Sequence, residues 1–129
     1  MSEYGAYKRE TKKLLRSYPK MKIAVTNLMD EIEMQKMSQS IAEQVQEVRR
    51  RRDEIIMTIR TIDEALESLG EIERALVRRH YIGGEPWKQV SKDVPYKEKW
   101  TRARGANALK YIACRLFGVR PLPRLQPTR

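Results

Sequence analysis

Between positions 97 and 110 the chain places Lys97, Lys99, Trp100, Arg102, Arg104, Asn107 and Lys110. On a helix these residues lie on or beside one face, with Arg102 at its flank. Ammonium and guanidinium groups meet phosphates or guanine edges, and an Asn amide can form two hydrogen bonds with adenine in a major groove. The residues nearest the N-terminal end of such a helix are the ones aimed at bases. Lys88, on the short segment just before, adds a further cation. Trp100 is unusual on a cationic face. It suits contact with a sugar, a thymine methyl or another protein surface, or else it anchors the loop around Tyr96.

The charge is unevenly spread. Of 129 residues, 27 are Lys or Arg and 17 are Asp or Glu, a formal charge of +10. Residues 1–70 hold 13 basic and 12 acidic side chains, whereas residues 71–129 hold 14 and 5. The second half therefore concentrates polyanions and releases their counterions on contact. Charge alone also fits a solvated face, an acidic protein partner or anionic lipid. The content of charged residues (34%) and the single Phe favour slender helices over a thick sandwich.

Several functions are disfavoured. One Cys (Cys114) excludes an internal disulfide, and with one His (His80) it leaves too few ligands for structural zinc, so neither metal nor cofactor is expected. No Gly-rich phosphate loop with its Lys, paired-His motif or Ser-His-Asp set is present, so no enzyme is expected. His80 reads as a partly buried packing or phosphate-neighbouring residue, and Cys114 as a bystander on the outer face of the last helix. No apolar run approaches the ~18–20 residues of a membrane span, and the N-terminus lacks a signal-peptide core. These features predict a cytoplasmic protein with no membrane partner.

The elements that must position the cationic face read as all-α. Pro19 is the only proline before Pro86, and Gly5 the only glycine before Gly70. A first helix is expected from about Tyr4 to Ser17, carrying Tyr4, Tyr7, Thr11, Leu14 and Tyr18. Pro19 would open a second, with Met21, Val25, Leu28 and Ile32, and the two would form an N-terminal helical hairpin. Gln35–Gln39 is the expected linker. A long central heptad helix follows, opened by a Ser40–Glu43 capping box and seamed by Ile41, Val45, Val48, Arg52, Ile55, Ile59, Ile62, Leu66 and Leu69. That seam must pack on the hairpin, on a second copy, or on both, and a dimer is expected. Arg52 interrupts it, either paired with an acid or marking an opening. Gly70 stops the helix through a left-handed backbone, and Glu71 to about Ile82 forms a short helix burying Ile72, Leu76, Ala75 and Tyr81.

After Gly83-Gly84 the pattern is a helix-turn-helix. A short helix, Pro86–Asp93, has Trp87 and Val90 as inward anchors. Pro95 disfavours helix at Val94, and a longer helix runs from about Lys97 to Phe117. Its inward stripe is Thr101, Gly105, Ala108, Leu109, Ile112 and Leu116, with small residues early so that two helices can cross closely. The expected domains are 1–70 as scaffold, 71–118 as the DNA-binding part, and 119–129 as a basic Pro-rich tail.

The segment Pro86–Leu109 (PWKQVSKDVPYKEKWTRARGANAL) resembles the C-terminal region of phage RinA/ArpU-type transcriptional regulators and is similar to region 4 of bacterial sigma factors. Glu73–Tyr81 (ERALVRRHY) resembles the helix opening that region, and Tyr7–Lys20 (YKRETKKLLRSYPK) resembles a family helix ending in Tyr-Pro. The resemblance implies a sequence-specific regulator that activates late phage genes, with double-stranded DNA as partner and host RNA polymerase as a second one. It also implies that Lys97, Glu98, Lys99, Trp100 and Arg102 face the DNA. Thr101 stands where such helices carry an aliphatic anchor. The alternatives are the small subunit of a phage packaging terminase and a sigma-like adaptor that binds polymerase without reading bases.

Overall fold

Apolar positions recur without a reset through Thr11, Leu15, Tyr18, Met21, Val25, Leu28 and Ile32, and that continuity decides how far the first helix runs. In the computed structural model, which describes residues 3–37 and 42–118, α1 is one helix, Glu3–Met37, with Pro19 inside it. The N-terminal hairpin expected from a break at Pro19 is not formed. Pro19 lacks the amide that would bond the Leu15 carbonyl, a loss of ~3 kcal/mol, but burial of Leu15 and Tyr18 in the turn before it offsets it. The buried residues of the first turns are Tyr4, Thr11 and Leu15, so Leu15 rather than Leu14 faces inward.

The second helix, α2, spans Ala42–Ser68. Ser40 and Ile41, with the expected capping box, lie outside the described residues, as does the tail 119–129; the expected linker is helical as far as Met37. Short elements follow. In α3, Glu71–Leu76 runs on into a π-helical turn, Val77–Ile82. Pro86 opens α4, Trp87–Val90, which a 3-10 turn extends over Ser91–Asp93. The last helix, α5, is Glu98–Phe117. Among the described residues the fold is all-α, without strands.

The chain divides into two compact units: one is residues 1–17 with 61–129, the other residues 18–60. In the second unit Ile32 and Val48 are buried, and Met29, Asp30, Ile32, Glu33, Arg49 and Arg52 surround a cavity of about 370 Å³. Arg52 bonds the Asp53 carboxylate at 3.0 Å. It therefore pairs with an acid and lines an opening.

In the first unit the core is Leu15, Ile62, Leu66, Leu76, Val77, Val90, Leu109 and Ile112, all fully shielded. Each such side chain contributes ~1.5–3 kcal/mol of burial. The start of α1 lies along α5. Tyr7 stacks on Phe117 with ring centres 4.7 Å apart, and Lys110 Nζ sits 5.6 Å from the centre of the Tyr4 ring. Burial, and then the nearby Cys114, pushes the Tyr4 hydroxyl up to about 12. Cys114 is thus half-buried next to Tyr4 and not on an outer face.

Two local expectations also change. Gly70 is extended (φ −62°, ψ 162°), not left-handed. Arg74 ends α2 instead, donating to the carbonyls of Leu66 (2.9 Å), Leu69 (3.1 Å) and Glu67 (3.3 Å). These are the acceptors a helix end leaves unpaired. Within α3 and its π turn, Ala75 is exposed while Glu73, Leu76, Val77 and Tyr81 are buried.

The crossing of α4 and α5 has no slack. A Cβ on Gly105 would lie 2.2 Å from the Trp87 ring. Gly105→Ala should therefore lower stability by ~1–3 kcal/mol, the cost of overpacking a core. Thermal melts of Gly105→Ala with and without Trp87→Leu check this: the second change should recover most of the loss, and independent, additive losses would contradict the close contact.

Candidate nucleic-acid interface

Packing sets which side of α5 meets solvent. Thr101, Gly105, Ala108, Leu109, Ile112 and Ala113 are buried, whereas Leu116 at the end is half-buried. Thr101 is completely enclosed, and its hydroxyl donates to the Lys97 carbonyl at 3.0 Å. The methyl thus fills an aliphatic place while the polar atom is satisfied inside the helix.

On the opposite side Lys97, Lys99, Arg102 and Asn107 are exposed, as is Lys88 on α4. Trp100 retains 53% of its surface. Lys110 is half-buried over Tyr4. Arg102 is held by Glu98 one turn earlier, at 2.9 Å, in an exposed pair worth a few tenths of a kcal/mol. That pair yields readily to a stronger anion.

Arg104 departs from the expected exposed set. It turns inward onto the carboxylate of Glu73, which is itself buried. Its Nε is buried with no hydrogen-bond partner among the described residues. Above it lie the rings of Trp100 and Tyr96, at 5.1 and 5.4 Å. Tyr96 and Trp100 also contact each other, centres 4.8 Å apart. Trp100 therefore anchors the turn around Tyr96 and still presents a free surface.

The turn before α4 is held by Arg79, whose role sequence reading missed, and by His80, the partly buried packing residue that was expected. Arg79 grips both oxygens of Glu85 at 2.9 Å and reaches Asp93 at 2.8 Å. The arrangement holds the Glu85 carboxyl below its ordinary range. His80 stacks on Trp87 with centres 3.8 Å apart, and its Nδ1 lies 2.7 Å from the Glu85 carbonyl. A proton on Nδ1 donates to that oxygen. Gly84 takes the left-handed backbone (φ 78°) that completes the turn. Acid residues at 85 and 93 were a faint clue to the clamp, but no local pattern marked Arg79 as their partner.

Burial lowers the His80 pKa, the Glu85 carbonyl partly opposes this, and Lys12, Arg16 and Arg102 add to the lowering. The folded chain therefore favours neutral His80, while the unfolded chain takes up the proton near 6.5. Stability from this group is present above that value and is lost as pH falls below it. Melting temperature should drop between about pH 7.5 and 5.5, and drop less in His80→Phe, which keeps the stack but cannot titrate. Equal drops in both proteins would contradict the assignment.

Among the described residues no cluster of His, Cys, Asp and Glu is arranged to hold a metal, and no helix is long and apolar enough to cross a membrane. Compared with protein families, curated proteins and solved structures, the chain matches none.

Proposed function

We propose that the protein binds double-stranded DNA sequence-specifically, with α4 and α5 acting as a helix-turn-helix and α5 as the recognition helix. One observation carries the reading. Lys97, Lys99, Trp100 and Arg102 cluster exposed at the start of a helix whose other face is fixed in a core. A recognition helix needs this division, because an N-terminal end free of neighbours is what enters a major groove. Lys88, Lys97 and Lys99 supply phosphate contacts, and Arg102 and Asn107 are placed to read base edges. Arg104 serves by holding Trp100 and Tyr96 in position. With the resemblance to RinA/ArpU-type regulators, this supports reading the chain as a phage regulator of late transcription, an activator of late genes.

Gel shifts test the reading on a duplex selected from random sequences at two salt concentrations. Lys99→Glu with Arg102→Glu should abolish retention, and undiminished binding would refute the proposal. Asn107→Ala should lose ~1–3 kcal/mol at one base position only. A uniform loss over all sequences would assign Asn107 to phosphate.

Self-association forms part of the proposal. Ile62, Leu66 and Leu69 of the heptad seam are enclosed, whereas Val45, Ile55 and Ile59 are only half-buried, and Ile23 keeps 62% of its surface. A second copy would cover this remainder, which gives the dimer. Sedimentation at micromolar concentration should give twice the chain mass. A monomer would refute the dimer and leave the DNA-binding surface intact.

A further inference from the structure

The first turns of α1 carry Lys8, Arg9, Lys12, Lys13 and Arg16 with Glu10 as the one acid among them. Thr11 and Leu15 are buried, and a helix that turns those residues inward must turn Arg9, Lys12, Lys13 and Arg16 the other way. All four are exposed. Together with His80 and Tyr81 they surround a cavity of about 390 Å³.

These cations are poorly compensated. Lys13 reaches Glu10 only at 3.9 Å, and both are well exposed. Among the described residues no carboxylate pairs with Arg9, Lys12 or Arg16. Glu85, which follows Gly84, is engaged by Arg79, as is Asp93. Arg16 is held in place, its Nε donating to the Tyr81 carbonyl at 3.4 Å and its guanidinium lying against Gly84. Arg102 of α5 joins Lys12 and Arg16 close enough to His80 to bear on its charge. The basic face of α1 and the start of α5 therefore converge on one imidazole.

Like charges brought together without a counter-charge repel, and an anion in the notch reverses that penalty. Guanidinium forks match the oxygens of a phosphate, and lysines add mobile donors around it. A flat cationic patch would lack the concavity. We propose that the notch of Arg9, Lys12, Lys13 and Arg16 above His80 is a phosphate site, occupied by the backbone of the same duplex that α5 reads. The proposal rests on the DNA-binding reading and extends it to α1.

The test uses the full chain and measures duplex affinity against salt for wild type, Arg9→Gln/Lys12→Gln and Lys97→Gln/Lys99→Gln. The first pair avoids Arg16, which has a structural bond. Each lost phosphate contact removes ~0.9 from the log–log slope. The α1 variant should therefore lose about 2 from the slope, with its ranking of sequences unchanged. An unchanged slope there, with a loss in the α5 variant, overturns the notch and leaves the recognition helix standing. A loss in the α1 variant alone supports the notch and overturns the reading of α5, and no loss in either overturns both. A second arm follows the His80 ring protons by NMR on addition of inorganic phosphate or of duplex. Shifts with duplex support the proposal. Shifts with inorganic phosphate and none with duplex make this a site for free phosphate and overturn the duplex assignment.

Discussion

The contact between Trp87 and Gly105 is the constraint on which the C-terminal arrangement depends. A helix as short as α4 has almost no stability of its own, since forming one turn fixes many dihedrals for few hydrogen bonds. It persists because Pro86 pre-sets its first turn, Val90 is enclosed, and Trp87 fills the gap left by a missing side chain on α5. His80 stacks on the same indole, so one ring ties the π turn after α3 to α4 and α5. The Arg79 clamp on Glu85 and Asp93 then closes the loop around it. Translation of α5 along α4 would drive a side chain into the ring, and this fixes where the cationic face points.

Rotation of α5 about its own axis is fixed by a different interaction. Glu73 is buried, and a buried carboxylate without a partner is strongly penalised. Arg104 supplies the partner, at a position on α5 that brings Trp100 and Tyr96 over the guanidinium. A buried ion pair adds little net stability when its desolvation is counted. Its effect here is orientational: Arg104 folds back onto Glu73 and leaves its guanidinium beside the Trp100 and Tyr96 rings, while Lys97 and Lys99 stay exposed. Arg104 thus ties α5 to Glu73 and steadies the Tyr96–Trp100 pair.

Much of this architecture was legible from spacing alone. Helical periods located the short helix after Gly70, the α4–turn–α5 succession and the inward stripe of α5, because those elements bury one face within a few turns. What spacing could not supply were choices decided elsewhere in the fold. Pro19 has a strong local preference to begin a helix, but the apolar register continues across it and tertiary burial prevails. Gly70 offers a left-handed stop, but Arg74 satisfies the α2 carbonyls and the glycine stays extended. Arg104 is indistinguishable in sequence from its basic neighbours, because the acid that draws it inward lies 31 residues upstream. The stack of Tyr7 on Phe117 is another such choice, a contact between distant parts of the chain that no local pattern marks.

That last contact changes how the charge should be read. Divided at Gly70, the front of the chain is nearly neutral and looks like a scaffold. Divided as it folds, residues 1–17 and 61–129 hold 19 basic and 10 acidic side chains, and residues 18–60 hold 8 and 7. The excess is spatial before it is sequential. By laying its first turns along α5, α1 adds its own lysines and arginines to the unit that already carries the cationic face of α5. The same helix then continues past Pro19 into a unit of almost balanced charge. The positive excess is thus concentrated in one of the two units, and it draws on residues from both ends of the chain.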